Sequence, residues 1–329
     1  MEIRTNISGS WKYIPSVYVN KSGVWKKVLS GWTRVNSIWE QFYQYTSYGF
    51  FLGGKTSASS NIIDYIDHSL TTGNASDKGD LVSVNQYNTG LTGSLYGLSG
   101  CGYDNNNTEY INRTTTTGNA SAKGTISFAR TGVGGIVGRI YGFFGAGTDA
   151  GANFYNVIDY INLRTTSGNA IDRGDVTVSR GYIGGLSGSS YGFFAGGWTG
   201  ATNNNVIDYI DHSLTTGNAS DKGDMTVARY GYGCIAGITY GYFCGGYSIT
   251  NIIDYINITT ISGNAADRGD LTVARNVCAG VDGDTYGFIG GGQTGSASDV
   301  IDYIDISTTS GNATDRGNLT VARERLAGA

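Results

Sequence analysis

From Tyr48 onward, short apolar runs alternate with polar turns. In the stretch from Tyr240 the order is YGYFCGG, NIIDYINIT, SGNAADRGD, LTVAR and then VCAGVDG. The first run closes on a glycine pair that turns the chain. The second, from Asn251, is rich in β-branched residues and tyrosine, which favour strands. SGNAADRGD carries the Gly, Asn and Asp that turns require. The pattern therefore predicts four strands per unit: YGYFCGG as strand B, NIIDYINIT as C, LTVAR from Leu271 as D, and VCAGVDG from Val277 as the next strand A. Strands B and C are apolar on both faces, as a sheet sandwiched between two others must be. The small residues of A and B suit the crowded centre of a ring.

The unit recurs six times. A Tyr-Gly pair stands at Tyr48, Tyr96, Tyr141, Tyr191, Tyr240 and Tyr286, and Gly-Asn follows in step at Gly73, Gly118, Gly168, Gly217, Gly263 and Gly311. A period of 45–50 residues with several short strands fits a propeller rather than a helical solenoid. The first copy opens at strand B, with no strand A ahead of Tyr48. The final VARERLAGA aligns with VARNVCAG of the fifth copy, so ERLAGA is a leftover strand A that can complete the first blade. Such a splice removes an exposed sheet edge. The expected fold is all-β: a six-bladed propeller of four-stranded blades over residues 47–329, closed by its C-terminal strand.

Composition adds constraints. With 53 glycines in 329 residues, long helices are disfavoured, at about 1 kcal/mol per interior glycine. Apolar residues at 40 % against 15 % charged exclude disorder. No run approaches the roughly 18 apolar residues of a membrane-spanning helix. The net charge of −4 divides into +4 for residues 1–46, with six basic and two acidic residues, and −8 for the rest. Neither value points to nucleic acid as a partner. Cys101, Cys234, Cys244 and Cys278 lack metal or redox spacing and read as free core thiols. MEIRTNISGSWKY lacks the apolar stretch of a signal peptide, so folding in a cytoplasm is expected.

The glycine pair ending strand B, the V-I-D-Y-I-D third strand and the R-x-x-x-A-G start of the next unit resemble kelch-type propeller repeats, although GDLTVAR replaces the kelch tryptophan of strand D. Units of the form YGFFAGG…IDYI…GNA-x-D-x-GDLTVAR are similar to repeats in structural and tail-fibre proteins of tailed bacteriophages, notably those of cyanobacteria. The likeness spans residues 48–329. It implies a divergent kelch-like propeller in a virion, assembled in the host cytoplasm.

Residues 1–46 have a different texture, holding the only proline, Pro15, and four of the five tryptophans. Trp11, Trp25 and Trp39 are spaced 14 apart, as are Tyr18 and Trp32. SVYVNKSGVWKKV and GWTRVNSIWEQF read as hairpins with turns at 20–23 and 36–37. Similar hairpins are common in phage tail proteins. The segment is too short for a core of its own. It is expected to dock on other virion proteins or on further copies of the chain through Trp11, Trp25, Trp32 and Trp39. The plainer alternative is a mini-domain packed on the propeller.

Little in the repeat reads as catalytic. The strand C acids Asp64, Glu109, Asp159, Asp208, Asp254 and Asp302 occur once per copy, whereas catalytic carboxylates need differing environments. They are expected to pair with the arginine ending strand D, namely Arg130, Arg180, Arg229, Arg275 and Arg323, with Asn85 as the exception in copy one. Arg173-Gly174-Asp175 matches a cell-adhesion tripeptide, but lysine replaces the arginine in sister copies, so it reads as turn chemistry. No loop has the dense acidic set calcium prefers. His68 and His212 share one position in copies one and four and are expected to be exposed. GVGGIVG lacks the helix that a phosphate loop needs. No catalytic residue, metal or cofactor is expected.

The B–C loops vary while the C–D turns do not, and loops carry binding more often than scaffold does. All six loops emerge on one face of the ring, opposite the face from which residues 1–46 would depart. Tyr103, Tyr155, Trp198 and Tyr247 lie in them among Asn and Asp, able to stack on sugar rings and bond hydroxyls. The expected function is a non-enzymatic virion component, tail-fibre or host-attachment in role, contacting a host-surface glycan or protein without membrane insertion. An architectural capsid or baseplate subunit is the alternative, and a glycan-degrading enzyme the third.

Overall fold

The structure is a computed structural model that describes residues 48–103 and 105–329 in full and, within residues 1–47, the backbone of six strands. These strands form three antiparallel hairpins: Ile3–Ile7 with Ser10–Ile14, Tyr18–Lys21 with Val24–Lys27, and Ser30–Val35 with Ile38–Gln44. The sequence reading anticipated the second and third and missed the first. Trp11, Trp25, Trp32 and Trp39 fall on these strands. As candidate anchors, their side chains lie outside the described residues, as do 22–23 and 36–37 of the expected turns. Met1–Ser47 forms one compact unit and Tyr48–Ala329 another.

Tyr48–Ala329 builds six four-stranded antiparallel sheets with no helix among the described residues. The fifth blade runs Gly233–Ala236 as strand A, Tyr240–Cys244 as B, Ile252–Asn257 as C and Ala266–Asp270 as D. The A strands are Thr89–Thr92, Gly134–Val137, Gly184–Ser187, Gly233–Ala236, Ala279–Asp282 and Ala327–Gly328, and they touch one another in cyclic order around an axis. The last of them pairs with strand B of the first blade, Tyr48–Leu52, through Ala327↔Leu52 and Gly328↔Phe51. The ring is therefore closed by its C-terminal strand, as the alignment of ERLAGA implied.

Each interblade seam is filled from both sides. Ile136 and Phe143 of the third blade interlock with Phe194 and Ile210 of the fourth. At the axis the A strands meet backbone to backbone. A Cβ on Gly185 would lie 2.0 Å from the Gly135 carbonyl oxygen, and one on Gly280 only 1.9 Å from that of Cys234. Glycine is required there by space.

Strand D is not LTVAR. It is the polar segment just upstream, Ala266–Asp270 in the fifth blade and Thr314–Asn318 in the sixth. As the outermost strand it exposes much of its surface, so its residues carry no apolar signal. A bulge opposite Ile253 and Asp254 places Gly269 at φ 142°. LTVAR is the crossover to the next blade: Leu271 and Arg275 turn inward, while Val273 is exposed.

Three contacts repeat around the ring. The arginine ending each crossover pairs with the strand C acid of the next blade: Arg180–Asp208 at 2.8 Å, Arg229–Asp254 at 2.9 Å, Arg275–Asp302 at 3.1 Å, Arg323–Asp64 at 2.7 Å, and Arg130–Asp159. All ten side chains are buried. A strand D cation also reaches into the next blade's C–D turn. Lys222 Nζ donates to the Thr260 carbonyl at 2.9 Å, and Arg316 donates to those of Leu70, Gly73 and Asp67. Arg173 of the adhesion-like tripeptide is held in this way over the Phe143 ring. Finally, the Gly-Asn asparagine accepts a strand D amide of the preceding blade, as Asn264 Oδ1 does from Asp224 at 3.1 Å.

The seam between the first two blades departs from this scheme. Asn85 stands in the arginine's place and donates to the Cys101 carbonyl at 2.6 Å. The acid there is Glu109, whose longer side chain accepts the Val82 and Ser83 amides at 2.8 and 3.2 Å. Burial pushes the Glu109 carboxyl up, against the pull of those two amides.

His68 and His212 are buried, at 5 % and 7 % exposure, contrary to expectation. Each follows strand C and packs against an A–B turn. His212 Nε2 lies 2.9 Å from the Gly188 carbonyl, and a Cβ on Gly283 would meet the His68 ring. Leu163, Ile258 and Ile306 fill the matching place in other blades, so the position is a plug whose polarity varies.

Asp282, ending the sixth strand A, accepts the Ala236 amide at 2.7 Å. Desolvation pushes its carboxyl from 3.8 up to about 6, opposed by that amide and by Arg113. The folded chain thus binds this proton more tightly than the unfolded chain. The group's contribution to stability grows as pH falls through about 6 and is lost above it. The melting temperature of Asp282→Asn, relative to the parent, is expected to be higher at pH 8 than at pH 4.5. A difference independent of pH would refute this.

Candidate functional site

On the face where the D–A crossovers and B–C loops emerge, the axis opens into a mouth of about 90 Å³. Every blade contributes the residue two places after its latch, the arginine or Asn85 that ends the crossover leading into it: Tyr87, Gly132, Tyr182, Gly231, Val277 and Arg325. All six have left-handed φ, at 56°, 64°, 56°, 63°, 44° and 58° in that order. Backbone hydrogen bonds link five of these six residues, one to the next, into a collar around most of the axis. Tyr87 N–H donates to the Arg325 carbonyl, Arg325 to Val277, and Gly231 to Tyr182, at 2.8, 2.8 and 3.1 Å. Two copies place glycine in this conformation without strain. The other four hold Tyr, Tyr, Val and Arg there, at roughly 1–2 kcal/mol each. Uncommon backbone of this kind clusters at functional sites.

A second circle surrounds the collar. The first residue of each B–C loop is joined to the residue just before a collar position. Lys55 bonds to Glu324, Tyr103 to Gln86 and Tyr247 to Tyr230, while Thr148 bridges Thr131, Trp198 bridges Gly181 and Gln293 bridges Asn276. Tyr103, Trp198 and Tyr247, picked out separately from sequence, thus occupy one equivalent position in three blades.

The two circles share a chain of rings. Tyr87 and Tyr182 meet edge to face at 5.1 Å across Gly132, where a Cβ would clash with the Tyr182 ring at 2.7 Å. Tyr182 continues to Tyr230 at 5.7 Å. Tyr230 stacks on Tyr247 at 4.6 Å and touches Trp198 at 5.9 Å. At the other end the Arg325 guanidinium lies 4.7 Å from the Tyr87 ring centre, with its charge met by Glu324 at 3.2 Å. Desolvation pushes the Tyr87 and Tyr230 hydroxyls up to about 12 and raises that of Tyr182. All three stay protonated, as neutral donors, at any physiological pH. Tyr103 and Tyr247 are 55 % and 49 % exposed at the outer rim.

Tyr155 does not join this set. Its ring packs on Phe128 at 4.8 Å and its hydroxyl donates to Asp149 Oδ2 at 2.7 Å. Bonds from Asn153 and Tyr155 hold the Asp149 carboxyl down at about 2. Tyr155 braces its own loop. Sequence reading missed Tyr87, Tyr182, Tyr230 and Arg325, which precede strand A. The only available signal was a repeat column reading Y, G, Y, G, V, R, in which glycine betrays a left-handed backbone.

The cysteines are free, and burial raises the thiols of all four, which makes them poor nucleophiles. Among the described residues no group of three His, Cys, Asp or Glu is placed to hold a metal ion. The fold and mouth define the chain as a six-bladed β-propeller with an aromatic axial face. Neither a protein-family model nor a curated protein matches the sequence.

Proposed function

We propose that the chain is a non-enzymatic structural protein of a tailed-phage virion, a divergent kelch-type propeller whose loop-bearing face contacts the host surface. The observation that carries the attachment reading is the aromatic chain from Tyr87 to Tyr247, with four collar side chains held in left-handed backbone where glycine would be at ease. The virion reading rests on the repeat unit's likeness to phage structural and tail-fibre repeats. Residues 1–47 then serve to dock the chain on other virion proteins or on further copies of itself. The strand C carboxylates are engaged in interblade contacts in every copy, which favours binding over hydrolysis.

An antibody against the purified protein should decorate intact particles, and the protein itself should bind host cells. Decoration without cell binding would favour an architectural capsid or baseplate subunit. Failure of both would overturn the proposal.

A further inference from the structure

We infer that the basic hairpin unit of one copy docks on the acidic outer wall of the propeller of a second copy. This inference deepens the docking role proposed for residues 1–47 and rests on it, taking further copies of the chain as the partner.

The wall is formed by the D strands. In blades one, three, four and five, strand D carries an aspartate on either side of its cation and glycine, as Asp172 and Asp175 in the third and Asp221 and Asp224 in the fourth. The first of each pair is exposed and the second half-buried. The sixth blade keeps Asp315 with Asn318 in the second place, and the second blade has Ala122 and Thr125. The cation between the two aspartates does not neutralise them at the surface. Lys78, Arg173, Lys222 and Arg268 are only 4–6 % exposed and donate to carbonyls of the next blade. The wall offers no open strand edge there either, since the Lys78 and Asp80 carbonyls accept the Gly118 and Ala120 amides of the next blade at 2.9 and 2.8 Å. What it presents is carboxylates, in patches one blade apart.

The hairpin unit supplies the opposite sign. Its six basic residues, Arg4, Lys12, Lys21, Lys26, Lys27 and Arg34, all fall on strands. The three hairpins share one register offset by 14 residues, with Trp11 opposite Asn6, Trp25 opposite Asn20 and Trp39 opposite Arg34. Lys12 and Lys26 therefore hold equivalent positions, so basic charge recurs along the unit as acid pairs recur along the wall. A single surface ion pair is worth little, but matched arrays of charge steer and orient two bodies.

The chain's connectivity makes the partner a second copy. Residues 45–47 join the last hairpin strand to Tyr48 and reach about 14 Å at most. Blades three, four and five stand two or three places round the ring from Tyr48, so their acid pairs are left to another molecule. Because the two surfaces differ, the contact is heterologous and can add copies in succession.

The test compares three full-length chains by sedimentation across a range of salt. The wall variant replaces both aspartates of all four pairs, and Asp315, with asparagine. Asparagine keeps the Oδ1 that accepts the neighbouring glycine amide, as Asp221 does from Gly223 at 3.0 Å. The hairpin variant carries Lys12→Gln, Lys21→Gln, Lys26→Gln and Lys27→Gln. The parent is expected to sediment as oligomers at about 20 mM salt and as a monomer above about 0.5 M, where charges are screened. Each variant alone should stay monomeric at low salt. Mixed, the intact hairpins of the wall variant meet the intact wall of the hairpin variant, and a one-to-one complex should form. The inference is overturned if the parent is monomeric at low salt, if either variant associates as the parent does, or if the mixture stays monomeric. Antibody decoration of particles separates this inference from the reading beneath it. Particles decorated by a chain that never self-associates would mean docking on another virion component, which sinks the second copy and leaves the docking role standing.

Discussion

Deleting residues 324–329 is expected to lower the melting temperature by more than about 10 °C and to leave a chain prone to associate. The segment contributes buried Leu326, about 2 kcal/mol by area. It also supplies the exchange of backbone bonds between Ala329 and Phe50, the Lys55–Glu324 bond and the collar bond from Tyr87 to Arg325, each about 1 kcal/mol net. A loss of about 5 kcal/mol corresponds to more than 10 °C at roughly 2–4 °C per kcal/mol for a domain of this scale. Without Ala327–Gly328, the strand Tyr48–Leu52 presents an unpaired edge. A synthetic peptide carrying residues 320–329 should restore part of the stability by binding only the folded form. Calorimetry with and without peptide checks both points. A truncated chain that melts with the parent would mean that this strand contributes nothing to the ring.

Replacing Arg180 with methionine is expected to cost about 3–5 kcal/mol, because it leaves the buried Asp208 carboxylate without its cation. Thr177 still donates to Asp208 at 2.6 Å, but a hydroxyl cannot offset a buried charge. The double variant Arg180→Met with Asp208→Leu should recover most of the loss. Arg180 Nε and Nη1 lack partners even in the parent, so the pair is not fully satisfied and an apolar pair of similar volume can nearly match it. Urea midpoints of the single and double variants test this. If the double is as destabilised as the single, the latch is a packing element and its charge is incidental.

The repeat, the closing strand and strands B and C were legible in the sequence, because their apolar positions follow from burial on both faces. Strand D was not. Its residues, such as Ala266–Asp270, are polar on the outer edge of a blade, and the apolar LTVAR beside them drew the assignment by one segment. The acid–arginine pairing was legible as chemistry but not as geometry, since the partner sits on the next blade. In the site, Trp198 and Tyr247 stood out as aromatics in variable loops. The collar did not, because what sets Tyr87 and Tyr182 apart is a backbone conformation that hydrophobic patterning cannot report. Their meeting across Gly132 is a long-range event.

Closure by the last strand also sets a timetable for the newly made chain. The bond from Arg323 to the Gly53 carbonyl joins residues 270 apart in sequence. During synthesis the first blade must wait, three strands wide, until Ala327–Gly328 has emerged. Contacts of such separation slow folding, and the wait leaves an open edge exposed to neighbouring chains. Yield in the cell should therefore depend on how quickly these closing residues are delivered as well as on how stable the finished ring is.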